Sequence, residues 1–199
     1  MRFQTLLLGH RDERCLQRIG EALDRMDAES RLGTVMSIAP KEQAALWKLV
    51  EKQEVAADHF VPSGTEPLQE VIHHGKNTLP THNFFQKRFC LGDDDSGELW
   101  GYNHQSLSWA TGPGYFVAHP AEASESPSSF LIDYTRIPPK KPETWPRISK
   151  NERGLSIFVY SRMKDYMRRV SEHVSIGRAH RNGKPMNAWF VLCREDPGA

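Results

Sequence analysis

Residues 84–119 read FFQKRFCLGDDDSGELWGYNHQSLSWATGPGYFVAH. Short aromatic and β-branched runs are broken by clusters of Gly, Asp, Ser and Pro, the pattern of strands joined by tight turns. The spacing predicts strands over Phe84–Leu91, Leu99–His104, Ser106–Thr111 and Tyr115–His119. Connections this short favour antiparallel pairing, because parallel neighbours need long crossovers. Phe130–Arg136 continues the series after a polar Ser- and Glu-rich loop at 121–129. Two further strands, Val174–Ala179 and Ala188–Cys193, flank Arg181-Asn182-Gly183-Lys184. Asn-Gly is a strong hairpin signal, because both residues tolerate positive φ.

Upstream the period changes. Leu16, Ile19, Leu23 and Met26 recur at helical spacing behind Asp12, a residue suited to capping. A second helix begins near Pro40, with Glu42 in its first turn and Leu46, Trp47, Leu49 and Val50 along one side. Ser149-Lys150-Asn151-Glu152 fits a capping box. Leu155, Val159, Met163, Tyr166, Met167 and Val170 behind it predict a late helix covering at least 161–172. The sum is an α+β chain: N-terminal helices, an antiparallel sheet of about six or seven strands, one late helix and a C-terminal hairpin. Such a sheet either lies open or curls into a barrel-like form around a cavity. The chain reads as one domain over 1–199, mainly helical in 1–55 and sheet with late helix in 84–199.

Composition narrows the function classes. The 199 residues carry 26 Lys and Arg against 25 Asp and Glu, a net charge of +1 that is not that of a general polyanion binder. The charge is unevenly placed, with 12 basic and 18 acidic residues in 1–126 and 14 and 7 in 127–199. The two parts attract each other, or the basic third meets an anionic partner. No apolar run approaches the roughly 18 residues of a membrane helix, and Leu6–Leu8 is too short for a secretory core. The expected compartment is therefore the cytoplasm. Cys15, Cys90 and Cys193 are not spaced for a metal or redox motif and read as small buried hydrophobes. Nine histidines show no ligand spacing, so neither a metal nor a cofactor is expected. Phosphate-loop, dinucleotide and hydrolase motifs are missing from the sequence.

Two features point to a site. Asp133 lies within Phe130-Leu131-Ile132-Asp133-Tyr134-Thr135, and a carboxylate among apolar strand residues is costly unless paired. It reads as a general acid or base working with His104 or His119, or as half of an ion pair with Arg178 or Arg136. Trp100, Tyr102 and His104 share one strand face, and Trp109 and Tyr115 follow. Such a face lines a ligand pocket or fills an ordinary core. The expectation is a small-organic-ligand binder with Trp100, Tyr102, Trp109 and Tyr115 on the ligand and Asp133, His104 and His119 as catalytic candidates. The alternative is an interaction module that places the basic residues around Arg162, Lys164, Arg168, Arg169, Arg178, Arg181 and Lys184 on an anionic partner. That segment lacks interleaved exposed aromatics, so nucleic acid is not the expected partner.

Overall fold

The computed structural model describes residues 13–79, 83–105, 112–122, 129–148 and 160–196. Helix α1, Glu13–Asp24, buries Cys15, Leu16, Ile19 and Leu23, the stripe that the helical spacing predicts. Helix α2, Ala28–Ser37, was not visible as a period, because Arg31 and Val35 are its buried residues. Its start is set by Asp27, whose side chain accepts the Ser30 N–H at 2.8 Å. Helix α3, Pro40–Leu49, opens on its proline, and Glu42 Oε2 accepts the Ala39 N–H at 2.7 Å. A single turn, α4, spans Ala57–Phe60.

Eight strands follow: β1 Val71–Asn77, β2 Phe84–Leu91, β3 Leu99–His104, β4 Tyr115–Pro120, β5 Phe130–Asp133, β6 Met163–Arg169, β7 Val174–Arg181 and β8 Lys184–Arg194. Each pairs antiparallel with the next, and β8 returns to β1, so the sheet closes into a barrel. Of the two forms open to the sequence, the curled one is the one adopted. β1 had not been expected: Val-Ile-His-His-Gly-Lys-Asn contains little of the usual apolar alternation. The predicted helix over 161–172 is corrected, because 163–169 is a strand between β5 and β7. Both faces of β6 are covered, Met167 inside the barrel and Tyr166 under the helices. A strand apolar on both faces loses its period of two and imitates a helical stripe. The capping box at 149–152 and the predicted strand at 106–111 lie outside the described residues.

Inside and outside are both packed. On one outer wall, Ile19, Leu23, Val35 and Leu46 of the helices meet Val174, Ile176, Val191 and Cys193 of β7 and β8. Arg168 points outward from β6 and lies 3.9 Å over the Trp47 ring. The interior holds Phe89, Phe116, Phe130, Ile132, Met167 and Leu192. Gly101 shows why the interior accepts so many rings: a Cβ there would strike Phe116 and the Arg88 carbonyl. Phe60 plugs one end, stacked 5.1 Å from Phe130 and tilted 5.2 Å from Phe89. His73 Nε2 donates to the Phe60 carbonyl at 2.9 Å, and Arg194 donates to the His59 carbonyl at 2.5 Å.

The last hairpin is as the sequence predicts, with Arg181 opposite Lys184 and two turn residues between them. Asn182 and Gly183 have φ of 53° and 74°. Gly183→Val is expected to cost about 1–2 kcal/mol, since a β-branched residue resists positive φ. Urea unfolding of both proteins measures this, and an unchanged midpoint would count against the turn. A second expectation concerns the plug. Burial pushes His73 from its usual 6.5 down to about 3, opposed by the bond to the Phe60 carbonyl and aided by Arg194. Burial, then the nearby His73 and Arg194, also holds His59 well below its ordinary value. The folded pKa lies below the unfolded one. Stability is therefore untouched above about pH 6.5 and falls as pH drops toward 3, by up to about 1.4 kcal/mol per pH unit for each histidine. Urea midpoints measured from neutral to acid pH should show this fall, and His73→Phe should make it shallower.

Candidate functional site

The end of the barrel opposite Phe60 holds a cavity of about 340 Å³. Phe85, Met163, Ala179, Met186, Ala188, Trp189 and Phe190 give it apolar walls. Its floor is polar: Lys87, Asn103, Tyr134 and Asp165. The strand period puts them there. Lys87 shares the inward face of β2 with Phe85 and Phe89, and Asn103 sits opposite it across the β2–β3 register. Asp165 lies between Met163 and Met167 on the inward face of β6, and Tyr134 follows directly after β5.

All four are buried and bonded to one another. Lys87 Nζ donates to Asn103 Oδ1 at 3.0 Å, to Asp165 Oδ2 at 3.1 Å and to Tyr134 Oη. An ammonium has three protons, and each finds an acceptor. Asn103 Nδ2 donates to Tyr134 Oη at 2.9 Å, and Tyr134 in turn donates to Asp165 Oδ2 at 3.2 Å. The rings of Phe85, Phe116, Tyr134 and Phe190 stand 4.9–5.7 Å from Nζ. Their faces attract a cation. Burial nevertheless lowers the Lys87 pKa, with the Asp165 charge opposing that shift. Burial, and then the Asp165 charge, hold Tyr134 protonated well above its ordinary value of 10. The arrangement offers a desolvated amine, a carboxylate that can exchange a proton with it, and a hydroxyl bridging the two.

The residues singled out in the sequence lie elsewhere. Trp100, Tyr102 and Tyr115 do share a face, and it is the outer one. Trp145 covers them, 4.9 Å from the Tyr102 ring, and Tyr115 Oη donates to the Pro146 carbonyl at 2.5 Å. Trp145 is itself tied down by Nε1 donating to Glu70 at 2.5 Å. Trp109 lies outside the described residues. His104 is on the same outer face, exposed and edge-on to Tyr102 at 6.3 Å. His119 Nδ1 is 2.9 Å from the Pro120 carbonyl. Asp133 is buried, as its apolar neighbours suggest, and its Oδ1 accepts from Thr135 N at 2.8 Å and Thr135 Oγ1 at 2.6 Å. It shapes the turn after β5 and lines no part of the cavity. Arg136 pairs with Glu98 at 2.6 Å, and Arg178 donates to the Met186 carbonyl at 3.0 Å.

Lys87 and Asp165 were missed, although a signal existed. Phe85-x-Lys87-x-Phe89 and Met163-x-Asp165-x-Met167 each place a charge between apolar residues on one strand face. That is the same anomaly that drew attention to Asp133. Removing one member of the pair strands a buried charge. Lys87→Met and Asp165→Leu are each expected to cost about 3–5 kcal/mol, and the double variant to regain most of it. Chemical unfolding of the three variants tests this, and additive losses would show that the two side chains are not coupled. Comparison with protein-family models, curated proteins and solved structures returned no significant match.

Proposed function

We propose that the protein binds a small, mostly apolar organic molecule in the open end of the barrel, with one polar group of that molecule facing the floor. The carrying observation is the combination of an apolar-walled cavity of about 340 Å³ with four convergent polar side chains at its base. That volume falls within the range of small-molecule sites. Asp165 also keeps an oxygen in reserve: Oδ2 serves Lys87 and Tyr134, and Oδ1 takes no hydrogen bond from a described residue. A hydroxyl or amide on the ligand would find an acceptor there. The reading extends to a reducing, cytoplasmic setting, supported by three buried cysteines of which none forms a disulfide. Among the described residues no helix is long and apolar enough to cross a membrane.

The second reading, a basic face for an anionic partner, has less support. Arg168 is spent on the Trp47 ring and on the Trp47 carbonyl at 3.2 Å. Arg178 lies 5.3 Å over Trp189, and Arg169 donates to the Ser171 carbonyl at 3.2 Å. Arg168 and Arg178 pack against indole rings and so interrupt the basic set, although Arg162, Arg169 and Lys184 are exposed.

The test uses 8-anilinonaphthalene-1-sulfonate as a fluorescent probe. Saturable binding of one probe per chain is expected. Ala188→Trp, which adds a ring to the cavity wall, should weaken it at least tenfold with little change in the thermal midpoint. Binding that is indifferent to Ala188→Trp would place the probe elsewhere and count against the pocket.

A further inference from the structure

We propose that Lys87 captures aldehydes that enter the cavity, forming an iminium ion that the floor then holds. This inference rests on the pocket reading above and names the class of ligand that the pocket takes. Lys87 supplies the one primary amine among the described residues lining the cavity. Around its Nζ stand a carboxylate at 3.1 Å, a tyrosine hydroxyl, an amide oxygen at 3.0 Å and four aromatic rings. The carboxylate and the rings suit an iminium as they suit an ammonium; the iminium keeps one N–H for Asp165, and the Asn103 and Tyr134 oxygens give up the ammonium protons they accepted. The product keeps the positive charge, still needs the Asp165 counter-charge, and is flatter and more polarisable against the rings. An aldehyde fits better than a ketone, because the carbonyl carbon must reach a nitrogen enclosed on several sides.

The step balances without an outside reagent. Asp165 takes one ammonium proton, which frees the Nζ lone pair. That pair forms the N–C bond while the carbonyl π electrons move to oxygen, and the oxygen receives the proton from Asp165 through the Tyr134 hydroxyl. Tyr134 gives one proton and accepts another, so no phenolate forms, as its high pKa requires. The nitrogen returns a second proton to Asp165. The hydroxyl leaves as water with that proton, and the nitrogen lone pair closes the C=N bond. One aldehyde and one ammonium become one iminium and one water, and Asp165 ends as the carboxylate. Burial lowers the Lys87 pKa and so raises the fraction of free amine at neutral pH. Apolar walls also limit the water that would reverse the reaction.

The experiment exposes the full chain to 6-methoxy-2-naphthaldehyde, with sodium cyanoborohydride to fix any imine, and reads adducts by intact mass and peptide mapping. The corresponding alcohol, 6-methoxy-2-naphthalenemethanol, serves as a probe that binds without reacting. The expected result is one adduct per chain at Lys87, formed at least tenfold faster than on any surface lysine. A red-shifted absorbance should appear before reduction, and the alcohol should suppress labelling competitively. Tyr134→Phe should slow the adduct at least tenfold while the alcohol still binds. The competition arm uses the wild-type chain, so the proposal stays testable if that variant fails to fold. Adducts confined to surface lysines, while the alcohol binds one per chain, would overturn the aldehyde chemistry and leave the pocket reading standing. Failure of both alcohol and aldehyde to bind would remove the pocket reading and this inference together.

Discussion

Pairing of β1 with β8, from His73 opposite Arg194 to Asn77 opposite Phe190, is the constraint on which the rest depends. It removes both free edges of the sheet, which otherwise template aggregation. It also creates an interior that side chains must fill and two ends that must each be closed or used. The outer wall needs cover as well, because the strands carry apolar residues on both faces. Helices α1–α3 cover the β7–β8 side, while Trp145 and its neighbours cover β3 and β4. The two ends receive opposite treatment. Phe60 seals one with stacked rings and backbone hydrogen bonds, and the other is left as a cavity.

Within that frame the Lys87–Asp165 layer is energetically out of place. Carrying two charges into the interior costs several kcal/mol per ion, and mutual attraction offsets this only with good geometry and further hydrogen bonds. Both conditions are met: three acceptors for three ammonium protons, and a hydroxyl donor for the carboxylate. A pair of apolar side chains of similar volume would fill the same layer without the desolvation cost. Stability alone therefore gives no reason for these four polar side chains at this depth. The proposed ligand site would give one, because groups that are already desolvated act on a ligand without further rearrangement.

The turn chemistry was legible in the sequence and the facing of the strands was not. Asn182-Gly183 specified a two-residue hairpin through local φ preferences alone, and the helical stripes of α1 and α3 reported which sides are buried. Alternation along 99–104 correctly grouped Trp100, Tyr102 and His104 on one face. It could not say which face turned inward, since period two carries no sign and both faces of this wall are covered. The large aromatics went outside, where Trp145 covers them at a tilt. The inward positions went to Leu99, Gly101 and Asn103, which leave room for Phe116 and Lys87. β6 was misread for a related reason, its outward side being apolar at Tyr166 beneath the helices. Asp133 drew attention as a charge in an apolar run, and its environment is satisfied locally by Thr135. Lys87 and Asp165 show the same anomaly on two distant strands, 78 residues apart. Only closure of the barrel brings them within 3.1 Å, and no local window contains that information.

Under the proposed reading, the polarity of the cavity also sets how a ligand would lie in it. Two large apolar side chains stand out as exposed among the described residues, Leu79 and Phe84, and both flank the β1–β2 connection at the open end. The walls are largely apolar, with Asn77, Thr78, Gln105 and Arg181 as further polar lining, and the floor is ionic. A molecule that enters with its polar group first reaches Lys87 and Asp165 and leaves its apolar body against Met163, Trp189 and Phe190. The reverse orientation presses an apolar end onto a desolvated ion pair and gives it nothing in return. Orientation is therefore selected by depth rather than by shape. The plugged end supports it, since the packed Phe60, Phe89 and Phe130 rings close the far side.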